Sequence, residues 1–533
     1  MLSVEVAHDR LPSEKTFLPA PVSFALPRIK SIPRRTVQFL VPSFLSRNDS
    51  QLQAVARPTD FLDGLRGYAA FAVFLYHFIM PEHPNAHFGY GGDNPKNKGT
   101  KDHFITQLPV IRLVFTGQAC VFLFFVISGV SISLKPVSLV RAQCFPELLD
   151  ALASATFRRA CRLYLPCLAA LLLVLIFDCG RGFDHAHRLQ QDWPFPGHSI
   201  AVPQKYNTTT EVIADWTSFV FHWADPLQQT KYPTDMPYSS QLWTIPVEFR
   251  CSLISFVSIL GLARTRSTVR IGILIAMAVF FHLKRHPETP LFLAGTVLAE
   301  LFLIRLEKNV DSTGHQECRS EKSRNTAMFA LGLLLLSYPR KGGDRAVFSA
   351  PLFKIAALIV GDQGKFPLYF WTTIGAVIVV YSVSCSPSLQ RLFITPLGRY
   401  LGKISFALYL VHQAMIVVFG YRNILFWWSV TGKETTMHLR IRQDSFSNKA
   451  EIAEINAQLE LSPLERAQAV QRRRLWLGFH LLSFPLLAYY TLVIWELCDR
   501  DAAAERAREA EFAKWAATPA GQQFLRDEEG IFY

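Results

Sequence analysis

The chain has 533 residues, of which 50% are hydrophobic and 18% are charged, and its mean hydropathy is +0.19. This composition is typical of a protein with several membrane spans and argues against a soluble enzyme. The net charge of +13 fits the Lys and Arg that collect in cytoplasmic loops, and no basic run interleaved with aromatic residues indicates a nucleic-acid partner. Nine scattered cysteines without a CxxC pair predict neither a metal site nor a disulfide scaffold.

About ten stretches of the chain are long and apolar enough to cross a bilayer as helices, which takes roughly 20 residues. They cover residues 61–80, 110–134, 163–178, 241–262, 268–283, 290–306, 326–339, 367–385, 402–420 and 475–497. The sequence therefore predicts an all-α fold, a polytopic integral membrane protein whose transmembrane domain spans residues 57–500.

The segments outside the spans predict the orientation of the chain. Residues 1–56 are Pro-rich and lack the apolar run and cleavage site of a signal peptide, so they are predicted to be a cytoplasmic tail. An even number of spans then leaves both termini in the cytoplasm, with residues 501–533 as a charged helix or tail. Residues 179–240 would form a long non-cytoplasmic loop with a weak glycosylation sequon at Asn207. Two successive capping-box patterns predict a helical hairpin in the loop 421–474.

The first span, FLDGLRGYAAFAVFLYHF, carries the ionisable side chains Asp63, Arg66 and His77. A charged group near the bilayer centre costs roughly 2.5–3.5 kcal/mol on insertion scales, so it normally faces a protein interior or a watery cavity and has a function. From the helical rise, Arg66 would lie about 8 Å and His77 about 24 Å from the cytoplasmic surface. Arg66 also has a simpler interpretation, in which it extends to the interface with Asp63 as its i,i+3 partner.

Two later spans carry polar groups that could lie near His77. Glu248, in LWTIPVEF, would be about 10 Å below the non-cytoplasmic surface by the same rise. A carboxylate in an apolar helix needs a proton or a cationic partner, which favours a function for Glu248. Tyr409 and His412, in GKISFALYLVH, complete a set of four side chains that could line one cavity. For either histidine the alternative is an interhelical hydrogen bond without a catalytic role.

A cluster of arginines precedes the third span, in FRRACRLYLP. Arg159 and Arg162 are three residues apart and share a helix face with each other, and Arg158 adjoins them. Guanidinium groups bind phosphate oxygens in bidentate fashion, and a helix start here would add partial positive charge. The cluster therefore predicts a cytosolic polyanion as ligand, although the excess of basic residues in cytoplasmic loops also explains it.

These motifs together resemble the acyltransferase-3 family of integral membrane acyltransferases. FLDGLRGYAAFAVFLYHF is similar to the family's arginine, ten residues, then histidine, and FLFFVISGVSI to its second-helix signature. FRRACRLYLP is similar to its Arg-x-x-Arg motif, and LWTIPVEF and GKISFALYLVH to its Trp-Glu and Tyr-His segments. The resemblance covers roughly residues 57–500. The motifs occur in the family's order, which makes the set more specific than any one of them.

The resemblance implies an O-acyltransferase that moves an acyl group, commonly acetyl, from acyl-CoA to a hydroxyl of a small molecule or carbohydrate. Acyl-CoA is then a co-substrate, and no permanently bound cofactor is expected. By this resemblance the site residues divide into a catalytic set, an acyl-CoA set and a cavity set: His77, Glu248 and Arg66; Arg159, Arg162 and Arg158; and Tyr409, His412 and Trp243.

One motif departs from the family pattern, since LWTIPVEF has Thr244 and Pro246 where a serine-bearing Trp-Ser-x-x-x-Glu form is usual. Glu248 still matches the family pattern, and the departure affects only the local geometry of the helix. The long loop 179–240 and the N-terminal tail are similar to those of filamentous-fungal members. The likeness implies an enzyme of secondary metabolism in the endoplasmic reticulum or another endomembrane.

The mechanism expected from these residues has two forms. His77 would accept the proton of the attacking hydroxyl, or it would attack the thioester and carry the acyl group itself. Glu248 would orient the imidazole if the two side chains touch. The rival interpretations are a transporter or lipid-binding protein that uses the buried ionisable groups as a proton relay, and a non-catalytic family member. No internal symmetry of two repeated halves supports the transporter.

Overall fold

The computed structural model describes residues 59–81, 84–92, 103–192, 200–227, 236–311 and 317–421. Within these ranges the chain is helical and forms no strand, apart from an isolated bridge between Phe88 and Lys341. The all-α prediction is therefore confirmed for the described part. The two tails, the last predicted span and the predicted hairpin beyond Tyr421 lie outside it.

The helices, numbered in chain order, are α1 Asp60–Ile79, α2 Gly117–Arg141, α3 Phe145–Cys179, α4 Asp184–Asp192, α5 Thr209–Ala224, α6 Thr244–Gly261, α7 Ser267–Leu283, α8 Glu288–Asp311, α9 Arg319–Leu336, α10 Ser349–Val360, α11 Phe366–Cys385, α12 Pro387–Gln390 and α13 Pro396–Met415. Helix α13 continues into a π-helical turn, Ile416–Gly420. Short 3-10 turns, Ile111–Phe115 and Ser240–Trp243, precede α2 and α6.

Six helices in the described part of the chain are long and apolar enough to cross a membrane. They are α2, α3, α6 with its preceding turn, α8, α11 and α13 with its π-helical turn. Helices α7 and α10 are apolar but shorter. Helix α1 coincides with the first predicted span, although its charged and polar side chains reduce its hydropathy. The structure thus supports a multi-pass membrane protein, while the count of ten spans and the cytoplasmic termini stay predictions.

Several helices begin earlier than their apolar runs suggested, because capping residues and prolines set their ends. Helix α3 begins at Phe145, with Pro146 in its first turn, and so extends well before the predicted span 163–178. Helix α13 begins at Pro396, where the Thr395 hydroxyl caps the Gly398 N–H at 3.1 Å.

The predicted loop 179–240 contains the two helices α4 and α5. Thr208 and Glu211 form the capping box at the start of α5, with the Thr208 hydroxyl accepting a hydrogen bond from the Glu211 N–H at 3.3 Å. Asn207, the sequon residue, is exposed next to this cap.

Glycines let two helix pairs approach closely. Helix α1 packs on α13 where Gly67 faces the backbone of Gly402. Helix α2 packs on α8 where Gly129 meets Gly295, so that a Cβ on Gly295 would lie 2.5 Å from the carbonyl oxygen of Val126. Small residues at such contacts are typical of helices packed in a membrane, where close backbone approach replaces a hydrophobic driving force. The contact of Gly67 with Gly402 holds α1 beside α13. Both helices carry residues of the candidate site.

Candidate active site

A cavity of about 380 Å³ lies where α1 ends and α2, α6, α8 and α11 begin. Its size falls within the range of small-molecule sites, roughly 300–1,000 Å³. Three of the predicted site residues, His77, Trp243 and Tyr409, line it. Its other polar and charged lining residues are Tyr76, His87, Arg112, Thr116, Gln118, Ser240, Gln241, Glu288, Arg340, Lys365 and Tyr369.

His77 is half-buried in the last turn of α1 and faces α13 and the turn before α6. The side-chain amide of Gln413 connects these elements, because its nitrogen lies 3.4 Å from His77 Nδ1 and donates to Ser240 Oγ at 2.6 Å. The Ser240 N–H donates to Gln413 Oε1 at 2.8 Å. A backbone N–H can only donate, so this bond identifies the amide oxygen and leaves the amide NH₂ facing His77. Nδ1 of the neutral ring is therefore the acceptor, and Nε2 carries the proton.

His412 lies against His77, with 5.1 Å between the two ring centroids, and it is completely buried. Its Nδ1 lies 3.0 Å from the Leu408 carbonyl oxygen and 2.8 Å from that of Tyr409. Because carbonyl oxygens only accept, Nδ1 of His412 is the donor. His412 does not line the cavity, so it contacts the His77 ring without facing the cavity itself.

Tyr409 joins α13 to the turn before α6. Its hydroxyl donates to the Gln241 carbonyl oxygen at 2.7 Å and lies 2.8 Å from Thr244 Oγ1. The Gln241 amide in turn donates to the Leu410 carbonyl oxygen at 3.0 Å. Thr244, which departs from the serine of the family motif, thus takes part in holding the turn that carries Ser240.

Glu248 lies farther along α6 and pairs with Arg159 of α3. The Glu248 carboxylate accepts from Arg159 Nη2 at 2.7 Å and from Ser128 Oγ at 2.6 Å. Both charged side chains are mostly buried, with 17% and 18% exposed. The expected cationic partner of Glu248 is therefore present, and it is an arginine of the Arg-x-x-Arg motif. Glu248 is not among the cavity lining and lies roughly 10 Å from Gln241 along α6.

The arginine cluster is not at a helix start, contrary to the sequence-based expectation. Because α3 begins at Phe145, Arg158, Arg159 and Arg162 lie within the helix, and the partial charge of a helix N-terminus does not act there. Arg158 and Arg162 are exposed, whereas Arg159 is committed to Glu248. The most apolar part of α3 follows the cluster.

Arg66 lies on α1, three turns before His77. Its Nη2 pairs with Asp63 Oδ1 at 3.0 Å, the predicted i,i+3 contact, and its Nε donates to Ser405 Oγ of α13 at 3.0 Å. The Arg66 side chain retains 41% exposure. Arg66 therefore ties α1 to α13 at some distance from the cavity.

Several site residues were not predicted from the sequence. Gln413 and Ser240 form the hydrogen bonds around His77, and Arg112, Arg340 and Lys365 bring positive charge to the cavity. A signal existed for two of them, since Gln413 is a polar residue in an apolar span and Arg112 falls within the predicted span 110–134. The others lie in connections between helices, where Lys and Arg are common.

Comparison with protein families places this site in a known context. The model of the acyltransferase-3 family, described as an acyltransferase domain, matches residues 59–437. The chain belongs to this family. It is therefore a membrane acyltransferase, as the motifs predicted, and the matched range contains every residue of the site described above.

Fungal proteins are among the relatives of this acyltransferase. It is 30% identical to O-acetyltransferase PaAT-1 of Phomopsis amygdali over 404 residues, which cover 72% of the chain and 76% of the relative. It is 26% identical to acyltransferase clz18 of Cochliobolus lunatus over 72% of the chain and 88% of the relative. Acyltransferase R4 of Phoma sp. is 25% identical over 70% of the chain and 86% of the relative. No solved structure matches the chain significantly.

Proposed function

We propose that this membrane acyltransferase transfers an acetyl group from acetyl-CoA to a hydroxyl group of a small molecule or carbohydrate. The observation that carries the proposal is His77, a histidine in contact with Gln413 at the edge of a cavity of about 380 Å³. The name of the relative PaAT-1, an O-acetyltransferase, supports acetyl as the acyl group and oxygen as the acceptor atom.

In the direct form of the reaction, His77 acts as general base. Its Nδ1 has the lone pair, so the acceptor hydroxyl approaches this nitrogen and takes the place of the weak 3.4 Å contact with Gln413. As the hydroxyl proton moves to Nδ1, the oxygen bonds to the thioester carbonyl carbon. The tetrahedral intermediate then collapses, the carbon–sulfur bond breaks, and the leaving thiolate takes the proton from the imidazolium. In the alternative form, His77 carries the acetyl group between donor and acceptor.

The acetyl-CoA phosphates are proposed to bind at the arginine cluster. Arg158 and Arg162 are exposed, and guanidinium groups suit phosphate oxygens. Arg159 is held by Glu248, so this pair sets the position of α3 against α6 between the cluster and the cavity. In this assignment Glu248 is a positioning residue, and it no longer needs to touch His77.

We place the reaction at an endomembrane, such as the endoplasmic reticulum, and in fungal secondary metabolism. The six apolar helices of the described part support a membrane setting, and the fungal relatives support the biological context. Acetyl-CoA would enter from the cytosol at the arginine cluster, and the acceptor would enter at the cavity.

The proposal is tested with membranes that contain the full chain. They are supplied with acetyl-CoA, butyryl-CoA or palmitoyl-CoA and with hydroxylated acceptors that include sugars and small aromatic alcohols. Thiol release and the mass of the product are measured together. Acceptor-dependent thiol release with a product heavier by one acetyl group is expected. A faster reaction with palmitoyl-CoA, or a product acylated on nitrogen, would refute the proposed donor or the proposed acceptor group.

A further inference from the structure

The cavity beside His77 carries an excess of positive charge. Three of its lining side chains, Arg112, Arg340 and Lys365, are basic, and Glu288 is the one carboxylate among the described lining residues. The reaction proposed above needs a base at His77 and does not by itself require three cations. Their presence therefore indicates that the molecule that binds there carries negative charge.

Arg112 is the most informative of the three, because it is 2% exposed and lies in the turn before α2. Its Nη2 donates to the backbone carbonyl oxygens of Ala86 and His87, each at 3.3 Å, and within the described ranges its Nε is buried without a hydrogen-bond partner. A buried guanidinium normally pairs with a carboxylate, since removal of its charge from water is costly. Among the described residues, the groups bonded to Arg112 are neutral carbonyl oxygens, which favours a ligand as the source of the counter-charge.

Arg340 and Lys365 add two further basic side chains to the cavity lining. Arg340 donates from Nη1 to the hydroxyl of Tyr76, the residue before His77. Lys365 is exposed just before α11, and the pKa of its ammonium is lowered by desolvation and, second, by the positive charge of Arg340. Both cations line the same cavity, and an anion bound between them would offset their mutual repulsion.

We infer that the acceptor substrate is a hydroxy acid, whose carboxylate binds Arg112, Arg340 and Lys365 while its hydroxyl reaches His77. This inference rests on the proposed function and names the class of its acceptor. Guanidinium groups bind carboxylates through two parallel hydrogen bonds, so the cluster fixes the orientation of the acid as well as its affinity. The acyl donor also carries anionic groups, but the exposed Arg158 and Arg162 of the arginine cluster on α3 are available to bind them.

The test compares acids with their neutral esters. Mandelic, quinic and glucuronic acids, each beside its methyl ester, are supplied as acceptors with acetyl-CoA to membranes that contain the full chain. The quantity measured is the ratio of kcat/KM for acid and ester. The variants are Lys365→Gln and Arg340→Gln, with Lys365→Arg as the charge-conserving variant. Lys354→Gln, which removes an exposed lysine of α10 away from the cavity lining, is the matched control.

We expect the intact protein to prefer acids, and each neutral variant to reduce the acid-to-ester ratio about tenfold, as for the loss of one charged hydrogen bond. Lys365→Arg and Lys354→Gln should keep the ratio of the intact protein. Equal turnover of acids and esters, or a ratio unchanged in both neutral variants, would overturn the inference and leave the proposed function standing. A raised KM for acetyl-CoA with an unchanged ratio would also overturn it, by assigning the cations to the donor. Absence of thiol release with every acceptor would refute the proposed function itself.

Discussion

The amide nitrogen of Gln413 lies 3.4 Å from Nδ1 of His77, and the same amide is fixed at both ends by Ser240. This relationship gives His77 a defined tautomer, with its lone pair on Nδ1, the nitrogen that faces Gln413 of α13. Gln413 of α13 thus determines which ring nitrogen of His77 can accept a proton.

Replacement of Gln413 by Leu should reduce kcat about tenfold, equivalent to about 1.4 kcal/mol of activation free energy, with a smaller change in KM. The reason is that Gln413 holds the ring, before the acceptor displaces it, in the tautomer and orientation that present Nδ1 to the hydroxyl, while the substrate contacts of the cavity remain in the variant. Steady-state kinetics with the acceptor held at several concentrations separate the two parameters. An effect confined to KM would show that Gln413 contacts the substrate instead.

Gln413→Glu provides a pH test of the same contact. A carboxylate beside Nδ1 would stabilise the protonated ring, so the neutral base would form only at higher pH. The low-pH limb of the kcat profile is therefore expected to move to higher pH, and the rate at high pH should recover toward that of the intact protein. An unshifted limb would mean that the ionisation of His77 does not control the rate.

The pair of Glu248 and Arg159 should behave as a positioning unit. A double-mutant cycle with Glu248→Gln and Arg159→Gln is expected to give a coupling free energy of about 0.5–3 kcal/mol in thermal unfolding of the detergent-solubilised protein. If both single variants also lower kcat in proportion to their loss of stability, the role is structural. Loss of activity in Glu248→Gln at unchanged stability would instead return Glu248 to the catalytic set.

A second ion-pair cluster joins α2, α7 and α8 outside the active site. Glu300 is 1% exposed and accepts from Arg270 at 2.7 and 2.9 Å and from Arg141 at 3.0 Å. Glu300→Gln should destabilise the protein by about 3–5 kcal/mol, because the buried Arg270 would lose its counter-charge and Arg141 would lose one of its two carboxylate partners. Glu307→Gln, which removes the exposed partner of the same Arg141, is the control and should have little effect on the unfolding temperature.

Close packing of α2 on α8 gives a further stability test. Gly295→Ala would place a methyl group against the Val126 carbonyl oxygen and should destabilise the protein by about 1–3 kcal/mol. Gly272→Ala, in α7, meets no atom within 4 Å and should leave stability unchanged or slightly improved. Equal unfolding temperatures for the two variants would contradict the packing described for α2 and α8.

Much of the fold was predictable because apolar runs of sufficient length leave few alternatives to a membrane helix. The need of Glu248 for a cationic partner was also predictable from the cost of a lone carboxylate in an apolar helix. Its partner was not, since Arg159 and Glu248 are far apart in sequence and meet only through the packing of α3 on α6.

The surroundings of His77 were not predictable for the same physical reason. The hydrogen bonds from Gln413 and Ser240 depend on the rotation of α13 about its axis and on the turn before α6, which no periodicity of apolar residues specifies. The start of α3 was misplaced because its first turns, which include Pro146, contain charged and polar residues and lie outside the apolar run. Hydropathy marks the part of a helix inside the membrane and says little about where the helix itself begins.

The catalytic role of His77 is tested by acetyl transfer from radiolabelled acetyl-CoA. Membranes with the full chain are compared with His77→Ala and with His222→Ala, which removes an exposed histidine of α5. At matched protein levels, we predict loss of at least about 100-fold of the acceptor-dependent rate in His77→Ala, as expected for removal of a general base, and an unchanged rate in His222→Ala. Transfer by His77→Ala at the rate of the intact protein would show that His77 has no catalytic role.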